Sequence, residues 1–153
     1  MSITYAMLKP DCIERGLVNT IKKEITDHGF IIREEGEVIV TEKIILEHYR
    51  EVIARLGDEF KKRVVEDFVG KKVIGLIISI EGEECITRFR KLVGSTEPIS
   101  ADKNSIRGKY GNDSYAQADL ENRFLHNLIH ASDSMENAYD EIDLWFGQIK
   151  NKI

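Results

Sequence analysis

The chain predicts an α/β (α+β) fold, a ferredoxin-like β-α-β-β-α-β sandwich with an antiparallel four-stranded sheet and helices largely on one face. Three observations carry this expectation. Apolar segments at 3–8, 30–40, 73–80 and 125–130 are too short for helices and suit strands. Between and after them, apolar residues recur at helical spacing, bounded by glycines and capping residues. The resulting order, β-α-β-α-α-β-α-loop-β-α, contains the sandwich pattern once one helical pair counts as an insertion.

Each element has its own signal. Ile3 to Leu8 reads as a strand stopped by Lys9-Pro10-Asp11, which leaves Lys9 at a strand end, facing whatever crevice lies there. Leu17, Ile21 and Ile25 make a helix to His28, closed by Gly29. Phe30 to Val40, with Glu34-Glu35-Gly36-Glu37 between two apolar clusters, reads as a long or bulged strand. Thr41 caps one helix running to Leu56, with Ile45, Tyr49, Val52 and Leu56 on one stripe. Gly57-Asp58 breaks it before a second helix, Glu59 to Phe68, whose apolar face holds Phe60, Val64 and Phe68. Val73 to Ile80 is the clearest strand, and Glu83 to Val93 a helix ended by Gly94, with Arg88 and Arg90 at its edges. From Ser95 to about Gln117 no periodicity persists, and a loop of that length in a compact domain is usually functional or disordered. Leu125, Leu128 and Ile129 read as a last strand, and Met135, Ala138, Ile142 and Trp145 as the core face of a helix capped by Asp133 and Glu136.

Length and composition narrow the function. At 153 residues the chain is expected to be a single domain, 1–153, large enough for a real core. With 32% charged residues and a net charge of −5, nothing recruits nucleic acid by bulk charge, and no nucleic-acid partner is expected. The longest apolar run, Val73 to Ile80, is too short to cross a bilayer, and no secretory signal stands at the N-terminus. Cys12 and Cys85 have no metal-ligand spacing. A cytoplasmic enzyme or binding domain, without a membrane partner, fits these facts.

His130 falls where a strand gives way to a helix, and Glu141 lies two to three turns along that helix. A carboxylate there can hold and tune the imidazole while one ring nitrogen stays free to attack. Lone histidines are more often core residues, but here other groups gather at element ends: Lys9, Arg90, Thr96, Arg107 and Asn127. Such a set suits a polyphosphate, since guanidinium forks and an ammonium balance phosphate oxygens. His126 and His130 are four apart, too far on a strand to share a metal, and no third ligand stands out. Glycine-rich phosphate loops of the P-loop or protein-kinase type are missing from the sequence.

Asn127-Leu128-Ile129-His130-Ala131-Ser132-Asp133-Ser134 resembles the Asn-x-x-His-Gly-Ser-Asp signature of the nucleoside diphosphate kinases. Met7-Leu8-Lys9-Pro10-Asp11 with Arg15-Gly16-Leu17 resembles that family's N-terminal motif. Arg90, Gly94-Ser95-Thr96-Glu97-Pro98, Ser105-Ile106-Arg107-Gly108 and Glu141 follow at the family's spacings, so the likeness runs from Thr4 to about Phe146. It differs in Ala131, where the family usually has glycine, and in an insertion of about ten residues around 111–125.

The resemblance implies a ping-pong kinase that moves the γ-phosphoryl of a nucleoside triphosphate to a nucleoside diphosphate, ATP and GDP among them, through phosphohistidine at His130. It implies that Glu141 and Ser132 hold the imidazole, and that Lys9 and Tyr49 stabilise the moving group. Arg90, Thr96 and Arg107 would bind the other phosphates; Lys9 and Asn127 would meet the ribose and Phe60 the base. Mg²⁺ would arrive on the nucleotide phosphates with no protein ligand, and the chain would form a homo-oligomer.

Overall fold

The computed structural model describes residues 2–150, with side chains as far as residue 147. In chain order the elements are β1 (Ser2–Leu8), α1 (Pro10–Glu14), α2 (Val18–Asp27), β2 (Ile31–Ile39), α3 (Glu42–His48), α4 (Arg50–Leu56) and α5 (Asp58–Phe68). They continue with β3 (Lys72–Ile80), α6 (Cys85–Val93), a 3-10 turn at Pro98–Ser100, α7 (Ile106–Tyr110), α8 (Tyr115–Leu120), β4 (Ile129–Ala131) and α9 (Met135–Lys150). The four strands form one sheet in the order β2-β3-β1-β4, and every neighbouring pair is antiparallel. The predicted α+β sheet is therefore the one formed.

Alternate residues of a strand point to opposite faces, and here both faces are buried. Ala6 and Leu8 of β1, with Ile74, Leu76 and Ile78 of β3, pack with Ile21 and Ile25 of α2 and Phe89 of α6. Tyr5, Met7 and Val73 point the other way, into Ile45, Val64, Phe68 and Trp145 from α3, α5 and α9. Helices thus cover the sheet on two sides rather than largely on one. The unbroken apolar run of β3 is the sequence's trace of that burial, because a strand covered on one side alternates and this one does not.

Several local expectations change. Pro10 does not merely stop β1; it starts the short helix α1, where its fixed φ is compatible and its missing N–H costs nothing. The predicted bulge in β2 lies between Ile32 and Glu34. The helix expected from Thr41 to Leu56 divides at Tyr49, and Thr41 accepts the Ile44 N–H at its start. Segment 95–117 is not structureless: it carries α7 and the start of α8, each begun by a serine whose hydroxyl accepts a backbone N–H. Ser134, not Asp133, takes the Asn137 N–H at the head of α9, while Asp133 bonds the Asn137 side chain.

The last strand is only three residues long, because Leu128 has φ of 73° and cannot join a ladder. A buried leucine in left-handed backbone is strained and persists only where its surroundings hold it. They do so from both sides: the Leu128 N–H donates to Asp11 Oδ2 at 3.1 Å, and its carbonyl accepts from Lys9 N–H at 2.9 Å. The first turn after β1 thereby sets the approach to His130.

Candidate functional site

His130 pairs with Met7 across β1 and β4, so its ring stands on the same sheet face as Tyr5 and Met7, under α3 and α9. Its Nε2 lies 2.9 Å from Glu141 Oε1, and Ser132 Oγ donates to that same oxygen at 2.5 Å. Burial pushes the Glu141 carboxyl up, but the His130 and Ser132 contacts outweigh it and leave the group below its usual range. An ionised carboxylate can only accept, so the Nε2 hydrogen belongs to His130, and in the neutral form of the ring the lone pair is on Nδ1. Nδ1 makes no hydrogen bond among the described residues.

The cations are held by neutral carbonyl oxygens, those of the backbone for Arg90 and Arg107 and that of the Asn127 amide for Lys9, not by carboxylates. Arg107 donates to Ile129 O at 2.6 Å, Gly94 O at 3.1 Å and Asn127 O at 3.3 Å, which ties α7 to the strand carrying His130. Arg90 reaches Ala131 O at 3.3 Å from α6. Lys9 is only 4% exposed; its ammonium donates to Asn127 Oδ1 at 2.7 Å and lies 5.0 Å from the centre of the Phe124 ring. Burial, helped by the Arg107 charge, lowers Lys9 to about 8 against the opposing pull of Asp11 and Asp67. Burial likewise lowers Arg107 to about 10. Carbonyl-anchored cations are under-neutralised, which is the state an anionic ligand completes.

Asn127 links two of these parts, because its amide N–H donates to Thr96 O at 3.0 Å while its oxygen holds Lys9. Tyr49, Phe60, Phe68 and Phe124 form an aromatic cluster with centroids 5.4–6.0 Å apart in most pairs. Burial pushes the Tyr49 phenol far above its ordinary value, so it is a neutral O–H donor. Of the site residues expected from the sequence, all but Ser132 line one cleft of about 980 Å³, a volume ordinary for a small-molecule site. Every site residue expected from the sequence thus falls in or directly behind a single cavity.

Sequence reasoning missed His48, Asp11 and Asp67. His48 sits at the α3–α4 break with its ring 4.6 Å from that of His130, edge to face. The residue carried no separate signal, since its neighbourhood depends on where the helix divides. Asp11 supports Leu128, as described above. Asp67 bonds His126 at 2.8 Å and raises that imidazole's pKa. So His126 is engaged with a carboxylate on α5 and does not pair with His130.

His48, His130 and Glu141 have potential donor atoms within 4.8 Å of one another. Two imidazoles and one carboxylate form a set for a transition metal rather than Mg²⁺, which wants oxygen ligands in an octahedron. Glu141 is moreover committed to His130 and Ser132. These residues do not build a Mg²⁺ cage. Among the described residues, no helix is long and apolar enough to cross a membrane.

Residues 2–150 match the family model described as nucleoside diphosphate kinase. A nucleoside diphosphate kinase of Methanococcus maripaludis is 36% identical over 148 residues, covering 97% of this chain and all of that protein. One from Exiguobacterium sibiricum is also 36% identical, covering 95% of each chain. Among solved structures, a transition-state mimic of the Borrelia burgdorferi nucleoside-diphosphate kinase with bound vanadate and ADP superposes with a TM-score of 0.87 at 28% identity, covering 95% of this chain and 86% of that one. An NDP kinase from Pyrobaculum aerophilum gives 0.80 at 30% identity, covering 94% of each. With a near-complete family match, relatives aligned over nearly their whole length and a cleft that gathers cations around one oriented histidine, the chain belongs to the nucleoside diphosphate kinase family and transfers phosphoryl groups between nucleotides.

Proposed function

We propose that His130 carries the phosphoryl group, and that the transfer runs in two half-reactions through phosphohistidine. The observation behind this reading is the His130–Glu141 contact at 2.9 Å, which engages Nε2 of a residue that lines the cleft and leaves Nδ1 without a hydrogen bond among the described residues. In the first half-reaction the Nδ1 lone pair forms a bond to the γ-phosphorus as its bond to the β-bridging oxygen breaks. The nucleoside diphosphate leaves with that oxygen. Positive charge develops on the ring, and Glu141, steadied by Ser132, stabilises it without taking the proton. The second half-reaction reverses these steps with a different diphosphate.

Lys9 and the Tyr49 hydroxyl face the transferring group in this reading, while Arg90, Arg107 and Thr96 meet the remaining phosphates. Asn127 holds Lys9 and, with it, contacts the ribose; Phe60 stacks on the base. In-line phosphoryl transfer needs mainly positioning and charge, which is what an array of anchored cations supplies. Mg²⁺ enters as part of the nucleotide substrate, bound to its phosphates. We further assign a cytoplasmic location, a homo-oligomeric assembly and a single catalytic domain with 111–125 as an insertion.

The test is to mix the protein with ATP labelled at the γ-phosphate, isolate it, and add GDP. Acid-labile label on the protein, discharged by GDP and absent from His130→Ala, is the expected result. Nucleotide binding by the wild type with no label taken up would overturn the phosphohistidine reading.

A further inference from the structure

We propose that the Arg63–Asp119 ion pair reads the edge of the base and makes this chain prefer guanine nucleotides. The inference rests on the nucleotide reading above and deepens it.

Lys9, Arg90, Arg107 and His130 line the same cleft as Phe60, Arg63, Ala118 and Asp119. Phosphates belong with the cations, and on the nucleotide reading the base stacks on Phe60, with its edge toward the polar groups that share that residue's helix face. Arg63 follows Phe60 by three residues on α5, so the two share a face. Asp119 comes from α8, and its Oδ1 accepts from Arg63 at 2.7 Å across 56 residues of sequence. The guanidinium is pinned, only 18% exposed and 3.5 Å from Glu59 on its other side. The carboxylate is 68% exposed, and its second oxygen makes no hydrogen bond among the described residues and remains able to accept.

Asp119 is also presented from a fastened segment. Asp113 accepts two hydrogen bonds from Arg123, at 2.6 and 2.9 Å, and one from His126 N–H at 2.8 Å. At the head of α8, Tyr115 N–H donates to Glu97 at 2.9 Å. A base stacked at Phe60 therefore meets a polar edge held in place, whereas stacking alone would tolerate any base.

Among the common bases, guanine offers two adjacent N–H donors, N1–H and N2–H₂, to one carboxylate, with O6 beside them for a guanidinium. Adenine has one exocyclic amine next to an acceptor, so it gives the carboxylate a single donor and leaves the other direction unmatched. A paired contact of this kind discriminates by about tenfold or more.

Calorimetric titration of the full chain with GDP and with ADP tests this. The wild type should bind GDP about tenfold more tightly than ADP. Asp119→Asn should bring the two within about twofold by weakening GDP while ADP hardly changes. Glu121→Gln removes the same charge from the same segment outside the cleft lining, and should keep the preference. Equal binding of GDP and ADP by the wild type would overturn the proposal and leave the nucleotide reading standing. So would Asp119→Asn keeping the preference, or weakening both nucleotides alike. If the wild type bound neither, the nucleotide reading itself would fall, and this inference with it.

Discussion

The indole Nε1–H of Trp145 donates to Nδ1 of His48 at 3.0 Å. That single contact fixes the tautomer: with Nδ1 accepting, the neutral ring carries its hydrogen on Nε2. Burial holds His48 down to about 3, and the His130 charge adds to the effect, with Lys9 and Arg50 in the same direction and Glu141 opposing. A neutral imidazole is thus kept edge to face against His130, so no second positive charge competes for Glu141.

The sign of the resulting pH dependence follows from linkage. The unfolded chain takes up a proton on His48 near pH 6.5, and the folded chain does so only near 3. The stability contributed by neutral His48 is complete above about 6.5 and declines as pH falls toward 3. Urea midpoints at pH 7 and pH 4.5 should fall less steeply for His48→Phe than for the wild type. Identical slopes would mean that His48 ionises freely in the folded chain.

Glu141→Gln keeps the shape of the Glu141 side chain but removes the charge facing the ring. Phosphorylation of His130 should slow by roughly a hundredfold, with nucleotide affinity little changed, because the lost interaction strengthens only as the ring becomes positive. Single-turnover labelling with γ-labelled ATP separates the two quantities. An equal loss in affinity would show that Glu141 instead supports the shape of the cleft.

Lys9, at about 8 in the free chain, gives an alkaline limb. kcat/KM should drop as pH rises through about 8, where the free chain loses this ammonium. kcat should hold to higher pH, since bound phosphates favour the charged form. A kcat/KM profile flat to pH 10 would place the Lys9 charge outside the rate-determining contacts.

A Cβ at Gly108 would stand 1.9 Å from the carbonyl oxygen of Asp102, a backbone atom that cannot swing aside. Gly108→Ala should cost about 3 kcal/mol in a urea unfolding experiment. Because Arg107 is the neighbouring residue, nucleotide affinity should fall as well. A variant of wild-type stability would show that the 102–108 turn can shift without loss.

For Asp113, burial pushes the carboxyl up, but Arg123 and the His126 and Ser114 amides outweigh it and bring it to about 2. Its contribution to stability is present above about 3.8 and is lost as pH falls through about 2. Asp113→Asn should lose about 1–3 kcal/mol at pH 7 and converge with the wild type in strong acid. A constant gap between them would assign the loss to shape rather than charge.

The segment from Asn127 to Ser134, the strand Val73 to Ile80 and the spacing from His130 to Glu141 are written in local sequence, and they suffice for the family, the sheet and the central pair. Apolar periodicity and short motifs survive without tertiary context because strand length, helix spacing and phosphate chemistry are local properties. The tertiary structure decided what depends on distance. It divided the Thr41 to Leu56 helix at Tyr49 and so turned His48 onto His130. It placed Leu128 in left-handed backbone through Asp11, 117 residues away. It also joined Arg63 of α5 to Asp119 of α8. No local signal encodes these contacts, because each pairs an ordinary residue with a partner that only the packing of α3, α5, α8 and α9 around β1 and β4 brings within hydrogen-bonding reach.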